Sequence, residues 1–219
     1  MIAVIDYGAG NLFSVQNALD YLGLENTISS DRDVLKKADG LILPGVGAFP
    51  DAMGMLEKRG LIGVIREEAV KKPFLGICLG MQVLFDKGFE FRETDGLGLI
   101  PGRVDKIVCS EKIPHMGWNH LSWNHLSWSH LRWNHLSWNH LPPHSGCPLL
   151  NGIPEGSSVY FVHSYMAFTD EENLAARCSY GVEIPALVQR GSVFGAQFHP
   201  EKSGEVGLLM LKNFGGLTK

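Results

Sequence analysis

The stretch Pro73-Phe74-Leu75-Gly76-Ile77-Cys78-Leu79-Gly80-Met81-Gln82 runs from an apolar segment straight into a cysteine framed by glycines. Residues 73–77 read as a short buried strand, because a brief apolar run fits a strand covered on both faces. Residues 81–85 can begin a helix. A small-x-Cys-x-small turn between strand and helix forces the side chain out at the top of a sheet, as in a nucleophile elbow. The thiol then meets the positive end of the helix dipole, which favours the thiolate. Near the far end of the chain, His199-Pro200-Glu201 supplies a histidine to complete the ionisation and a carboxylate two residues on to orient that histidine. Cys78, His199 and Glu201 are therefore candidates for a Cys-His-Glu acyl-transfer site. A lone cysteine or histidine would be read as core packing; the flanking glycines and the paired distal motif carry the catalytic reading.

Outward from this turn, short apolar runs alternate with helical patterns. Residues 2–5 form a strand followed by the turn Gly8-Ala9-Gly10-Asn11, and in residues 12–22 Val15, Ala18, Leu19 and Leu22 recur at helical spacing. Residues 41–43 form another strand, ending at Pro44-Gly45-Val46-Gly47, and residues 61–70 form an amphipathic helix that leads into the Cys78 strand. This order predicts an α/β fold: an open, mostly parallel sheet flanked by helices, in one domain spanning residues 1–219. Ligands of such sheets bind at the carboxyl ends of the strands, where the Cys78 turn lies. Strands at 104–108, 158–162, 186–189 and 193–197 make the later part of the sheet mixed, with an antiparallel portion, and a last helix spans 204–213.

The totals fit this reading. The 219 residues are 45% hydrophobic and 19% charged, as in ordinary globular chains. A net charge of -4 gives no basic footprint for nucleic acid. No apolar run approaches the length of a membrane span, and the N-terminus lacks the pattern of a secretory signal. Cys78, Cys109, Cys147 and Cys178 are scattered, which argues against a disulfide framework or a cysteine metal site. A reduced, cytoplasmic setting suits a working thiolate, and neither a metal nor a cofactor is expected.

Residues 118–141 break the pattern. They carry five near-identical five-residue units beginning at Trp118, Trp123, Trp128, Trp133 and Trp138, the last closing at Pro142, and they hold all five tryptophans and five of the nine histidines. In a strand, a period of five sends each successive Trp to the opposite face. In a helix, each unit advances the Trp by about 140° around the axis. The favoured reading is a tandem duplication tolerated in a surface loop, since each doubling of loop length costs only about 0.6 kcal/mol. A metal-binding histidine array and an added apolar contact surface are the sharper alternatives. Five exposed Trp side chains would make such a loop unusually apolar.

The motifs are specific enough to carry a resemblance. Gly76-Ile77-Cys78-Leu79-Gly80-Met81-Gln82 and Gln197-Phe198-His199-Pro200-Glu201 resemble the nucleophile and His-Glu motifs of class I glutamine amidotransferases. Within that class the chain is similar to the glutaminase subunits of imidazole glycerol phosphate synthase. The narrower likeness rests on Ile5-Asp6-Tyr7-Gly8-Ala9-Gly10-Asn11-Leu12, on Pro44-Gly45-Val46-Gly47-Ala48-Phe49, on the run from Gly96 to Val104, on Pro114-His115-Met116-Gly117-Trp118-Asn119 and on Val162-His163-Ser164-Tyr165. The family carries one copy of the Trp-Asn unit, so four copies here are additional. Met166 departs from the aromatic residue that often follows Ser-Tyr.

The resemblance implies hydrolysis of glutamine to glutamate and ammonia, with Cys78 as nucleophile, His199 as acid and base, and Glu201 as its orienter. It also implies an oxyanion hole from the backbone amides of Leu79 and Val46. Substrate contacts would come from Gly45, Gly47, Gln82, Ser164 and Tyr165. The implied partner is a (β/α)8-barrel cyclase subunit in a heterodimer, which receives the ammonia and makes imidazole glycerol phosphate for histidine biosynthesis, its nucleotide ligand stimulating the glutaminase. The alternatives are a glutaminase subunit of another synthase, a catalytically impaired binding protein whose repeat is its working surface, and a thiol hydrolase with a similar elbow.

Overall fold

The computed structural model describes residues 1–123 and 146–218. Its centre is a seven-stranded sheet. Strands β1 (Ile2–Ile5), β2 (Asn26–Ser29), β3 (Gly40–Gly45) and β4 (Phe74–Cys78) are its amino-terminal part. Strands β11 (Leu174–Ser179), β12 (Glu183–Arg190) and β13 (Val193–Ala196) complete it in the order β11-β12-β13-β4-β3-β1-β2. The pairs from β13 through β4, β3 and β1 to β2 are parallel, whereas β11, β12 and β13 pair antiparallel. The antiparallel portion late in the chain is thus where the sequence predicts it.

Alternation along the buried strands sends side chains to two cores, because successive residues of a strand face opposite ways. Ile2, Val4, Ile42, Leu75 and Ile77 pack on one face with Val15 and Leu19 of α1 (Leu12–Tyr21) and Met210 and Phe214 of α6 (Gly204–Leu217). Ala3, Ile5, Leu41, Leu43 and Phe74 pack on the other with Leu35 of α2 (Arg32–Lys37), Leu56 of α3 (Phe49–Lys58) and Ile65 of α4 (Ile62–Ala69). Asp31 starts α2 by accepting from the amides of Asp33 at 2.7 Å and Val34 at 3.3 Å, a cap worth about 1 kcal/mol.

Two smaller sheets cover the carboxyl edge of the main one. Strands β5 (Lys87–Gly88), β6 (Thr94–Asp95), β7 (Arg103–Lys106) and β10 (Tyr165–Phe168) form one of them. The other pairs β8 (His115–His120) with β9 (Ser158–His163).

The expected helix after Cys78 starts earlier and is shorter: α5 spans Leu79–Gln82. Past it the ladder tightens, Leu84 donating to Met81 at 3.0 Å and Phe85 to Gln82 at 3.3 Å, three residues back rather than four, and the carbonyls of residues 83–85 turn to a neighbouring loop. Leu97 donates to the Val83 carbonyl at 2.7 Å, Leu99 to Leu84 at 2.8 Å and Gly98 to Phe85 at 3.2 Å. The first two repeat tryptophans differ in setting: Trp123 is 4% exposed where Trp118 is 60% exposed. Five residues along an extended chain reverse the face, and the bridge between Ser122 and Arg177 holds that stretch against β11. The remaining repeat units, and the readings attached to them, lie outside the described residues.

Glycine is required where α5 meets β3. A Cβ on Gly80 would stand 1.8 Å from the Leu43 carbonyl oxygen, and one on Gly76 would stand 2.4 Å from the Gly80 oxygen. Gly54, inside α3, would meet nothing within 4 Å. Gly80→Ala is therefore expected to destabilise the protein by about 3 kcal/mol or more, the upper range for overpacking. Gly54→Ala is expected to stabilise it by about 0.5–1 kcal/mol. Urea denaturation of both variants checks the contrast.

Candidate active site

Cys78 ends β4 and opens α5 with φ 55° and ψ -112°, a conformation that L-residues adopt only under constraint. The constraint is backbone packed against backbone. A Cβ on Gly45 would lie 2.6 Å from the Gly80 nitrogen, so β3 can press against the first turn of α5 only where both residues lack side chains. The elbow inferred from the small-x-Cys-x-small pattern is thus present. The thiol lies 3.9 Å from the Val162 carbonyl and 3.9 Å from Nε2 of Gln197, which donates to the sulfur.

The parallel register decides what stands beside the thiol. Gly45 pairs with Cys78 across β3 and β4, which sets the turn Pro44-Gly45-Val46-Gly47 next to the elbow. Gly47 turns the chain at φ 103° and Val46 is 48% exposed. Leu79 begins α5, where helix geometry leaves the first amides without intrahelical acceptors. On the other side of β4, β13 runs parallel and delivers Gln197, Phe198 and His199 beyond its carboxyl end.

His199 and Glu201 come together as the sequence suggests. Nδ1 of His199 lies 2.8 Å from Glu201 Oε1, and both side chains are almost fully buried. The glutamate fixes the tautomer, since a carboxylate partner requires the proton on Nδ1 when the ring is neutral. Nε2 is buried without an aligned hydrogen-bond partner among the described residues. Burial disfavours the charged imidazolium, yet the side chains and charges of Cys78 and Glu201 outweigh it and raise the His199 pKa to about 9. The main chain at His199 is held by Ser203, whose Oγ donates to the His199 carbonyl at 2.7 Å and accepts from the Tyr160 amide at 3.0 Å. Nothing in the local sequence of Ser203 marks it as this bracket.

A buried polar chain also reaches the thiol. His163 Nδ1 donates to the Tyr165 carbonyl at 2.8 Å, so in a neutral ring Nε2 must accept. Nδ1 of His115, 2.9 Å away, is then the donor, and its Nε2 accepts from Asn119 Nδ2 at 3.2 Å. These tautomers follow from the network. The Tyr165 carbonyl also accepts from Gln82 Nε2 at 3.1 Å, and Gln82 Nε2 donates to Gln197 Oε1 at 3.0 Å. Gln197 in turn reaches Cys78. Gln82 is therefore buried with both amide hydrogens committed to the protein. Gly45 is likewise taken up in packing against α5. Ser164 and Tyr165 are half-buried beside this chain, and the Ser164 carbonyl accepts from the Ile107 amide at 2.9 Å.

Among the described residues no cluster of three or more His, Cys, Asp or Glu side chains is arranged to hold a metal ion. No described helix is long and apolar enough to cross a membrane. Sequence reading gave no role to Tyr7, Gln197 or the His115–His163 pair, although each lies within a quoted motif. Their roles depend on neighbours distant in the chain.

A backbone-strained cysteine at the carboxyl end of a parallel strand, with a His-Glu pair delivered by the adjacent strand, has the parts that acyl transfer through a thioester needs. A model of the family described as glutamine amidotransferase class-I matches residues 3–215. The chain belongs to that family. It is 48% identical over 220 residues to the imidazole glycerol phosphate synthase subunit HisH of Bacillus cereus strain G9842, covering 100% of this chain and 96% of that protein. It is 46% identical to the same subunit from Bacillus anthracis, with the same coverage. The fold is similar to a solved glutamine amidotransferase, with a TM-score of 0.70 at 19% identity over 98% of this chain and 100% of that one. It is also similar to PurLQS from Thermotoga maritima, with a TM-score of 0.67 at 21% identity over 100% and 98%.

The histidines should titrate in opposite directions. Burial lowers the pKa of His115 and of His163 to about 4 each, while that of His199 is raised to about 9. The unfolded chain takes up protons on His115 and His163 near pH 6.5, whereas the folded chain resists until near pH 4. Stability is therefore expected to fall as pH drops through that window. By the same linkage, the contribution of His199 is complete below about pH 6.5 and lost as pH rises through 9. Imidazole NMR titration is expected to show one midpoint near 9, moving down in Glu201→Gln, and two rings neutral to near pH 4.

Proposed function

We propose that this chain is the glutaminase subunit of an imidazole glycerol phosphate synthase, with Cys78, His199 and Glu201 as its triad. The observation that carries the triad is the meeting of a strained Cys78 with a His199–Glu201 pair across β4 and β13. The near-full-length likeness to HisH subunits supports the choice of synthase.

The Cys78 thiolate attacks the side-chain amide carbon of glutamine, and the carbonyl oxygen becomes an oxyanion facing the amides of Leu79 and Val46. His199 is protonated at neutral pH, so it can give its proton to the departing nitrogen as the C–N bond breaks and ammonia leaves. Thioester formation removes the thiolate charge that helped to raise the His199 pKa. Burial then weighs more heavily, and the neutral ring can take a proton from water. The resulting hydroxide opens the thioester, releasing glutamate and restoring Cys78. Gly47, Ser164 and Tyr165 border the space for the amino acid. Gln82 serves by holding Tyr165 and Gln197 in place, and Gly45 by letting the turn reach the elbow.

The ammonia goes to a cyclase partner, read as a (β/α)8 barrel in a heterodimer in the cytoplasm, as the resemblance implies. Met116 and Trp118 present exposed apolar side chains from β8 that suit such docking.

Glutamate release from glutamine is the direct test, run with the chain alone and with a cyclase subunit and its nucleotide ligand. Activity is expected to depend on the partner and to fall by about 10⁴-fold or more in Cys78→Ala. Equal release by Cys78→Ala and the unmodified chain would exclude the mechanism.

A further inference from the structure

Tyr7 is a buried polar side chain near Cys78 to which the hydrolytic scheme gives no task. It follows β1 at the carboxyl edge of the sheet and is 1% exposed. Its hydroxyl has no hydrogen-bond partner among the described residues. The hydroxyl oxygen lies 2.9 Å from the point where a Cβ on Gly45 would stand, and that point is also 2.8 Å from Leu79 Cβ and 2.6 Å from the Gly80 nitrogen. It is thus wedged between the Pro44–Gly47 turn and the first turn of α5, at the two segments that flank the nucleophile.

A buried hydroxyl without a partner is costly, and buried polar groups are normally paired. Phenylalanine would fill the same space without that cost. The phenol's surroundings are otherwise apolar, with Leu43, Phe49 and Leu79 in the same core. The charged groups near its turn are Asp6, which follows β1, and Arg59, which donates to the Asp6 carbonyl at 3.2 Å. Burial, and then the negative charge of Cys78, push the phenol's pKa well above its ordinary value. At working pH the hydroxyl is therefore neutral and keeps its proton as a donor.

We propose that Tyr7 is a positioning residue for the nucleophile: its hydroxyl, tied to no other group, orients its dipole toward the negative charge at the Cys78 elbow and stabilises it without touching substrate. In a site shielded from water, a preoriented dipole acts more strongly than it would in bulk solvent. The orphaned hydroxyl is then a stability cost retained for reactivity, the trade-off expected at active sites.

The proposal rests on the glutaminase reading for its kinetic arm, and the test separates the two. The full-length Tyr7→Phe variant is compared with the unmodified chain in three measurements. One is the rate of Cys78 alkylation by iodoacetamide against pH, followed on the Cys78 peptide because Cys109 is partly exposed. The second is the kinetics of glutamine hydrolysis, and the third is thermal denaturation. His199 can bend the same alkylation profile, but it is present in both proteins. In Tyr7→Phe the profile is expected to move up by about one pH unit and kcat to fall by about tenfold, with KM unchanged. The melting temperature is expected to hold or rise, which a structural hydroxyl would not allow. An unshifted alkylation profile, or an activity loss that only tracks a lower melting temperature, overturns the proposal. Absence of glutamine hydrolysis by the unmodified chain with its partner would overturn the glutaminase reading instead, and the alkylation profile would still decide the role of Tyr7.

Discussion

The close approach of β3 to the first turn of α5 is the constraint on which this protein depends. Cys78 is held at a positive φ where β3 and β4 meet the first turn of α5, and their backbones can come so near only where Gly45, Gly76 and Gly80 carry no side chains. Such a conformation costs about 1–3 kcal/mol. The two-sided apolar cores of the sheet supply the rigidity that maintains it. Strain at Cys78 and packing of the sheet are thus one physical problem. Loosening the contact would relax the cysteine into an ordinary helix start and withdraw its side chain from the edge.

The same sheet collects the rest of the site. Parallel strands present all their carboxyl ends on one edge. β1 brings Tyr7, β3 brings the Val46 turn, β4 brings Cys78 and β13 brings the segment leading to His199. Around the thiol, two electrostatic environments differ sharply. His199 faces Glu201 and Cys78 and holds its proton, whereas His115 and His163 are buried among Phe161, Tyr180 and each other and stay neutral. Charge is thereby confined to the ring next to Cys78. The neutral pair serves as a hydrogen-bonded spacer between β8 and Gln82, and its donors and acceptors run in one direction from Asn119 to the Tyr165 carbonyl.

The strand of the chain that bears the tandem repeat also bears this spacer. Asn119 and Trp118 belong to the first unit; Asn119 donates inward to His115, while Trp118 faces outward beside Tyr160. Trp123, starting the second unit, is buried. The first unit and the start of the second are therefore integral to the fold, whatever the later copies add.

Much was legible in the sequence because it rests on local rules. Alternation of short apolar runs with helical spacing gave the parallel sheet and most of its strands. The glycine frame gave the elbow, and the two-residue spacing gave the His199–Glu201 contact. Elements with weak periodicity were not legible: the polar edge strand β2, the helix α3 with Pro50 and Gly54 in it, and β8 inside a repeat. The sequence by itself determined which residue sits in the elbow and which histidine has a carboxylate, since both follow from neighbours within a few positions; the strain at Cys78 needed β3 packed against α5. Only the tertiary structure decided that Gln82 faces inward, that Tyr7 lies orphaned at the elbow and that His115 pairs with His163. Those outcomes depend on the register of strands far apart in the chain, and a one-residue slip in register would turn each side chain to the other face.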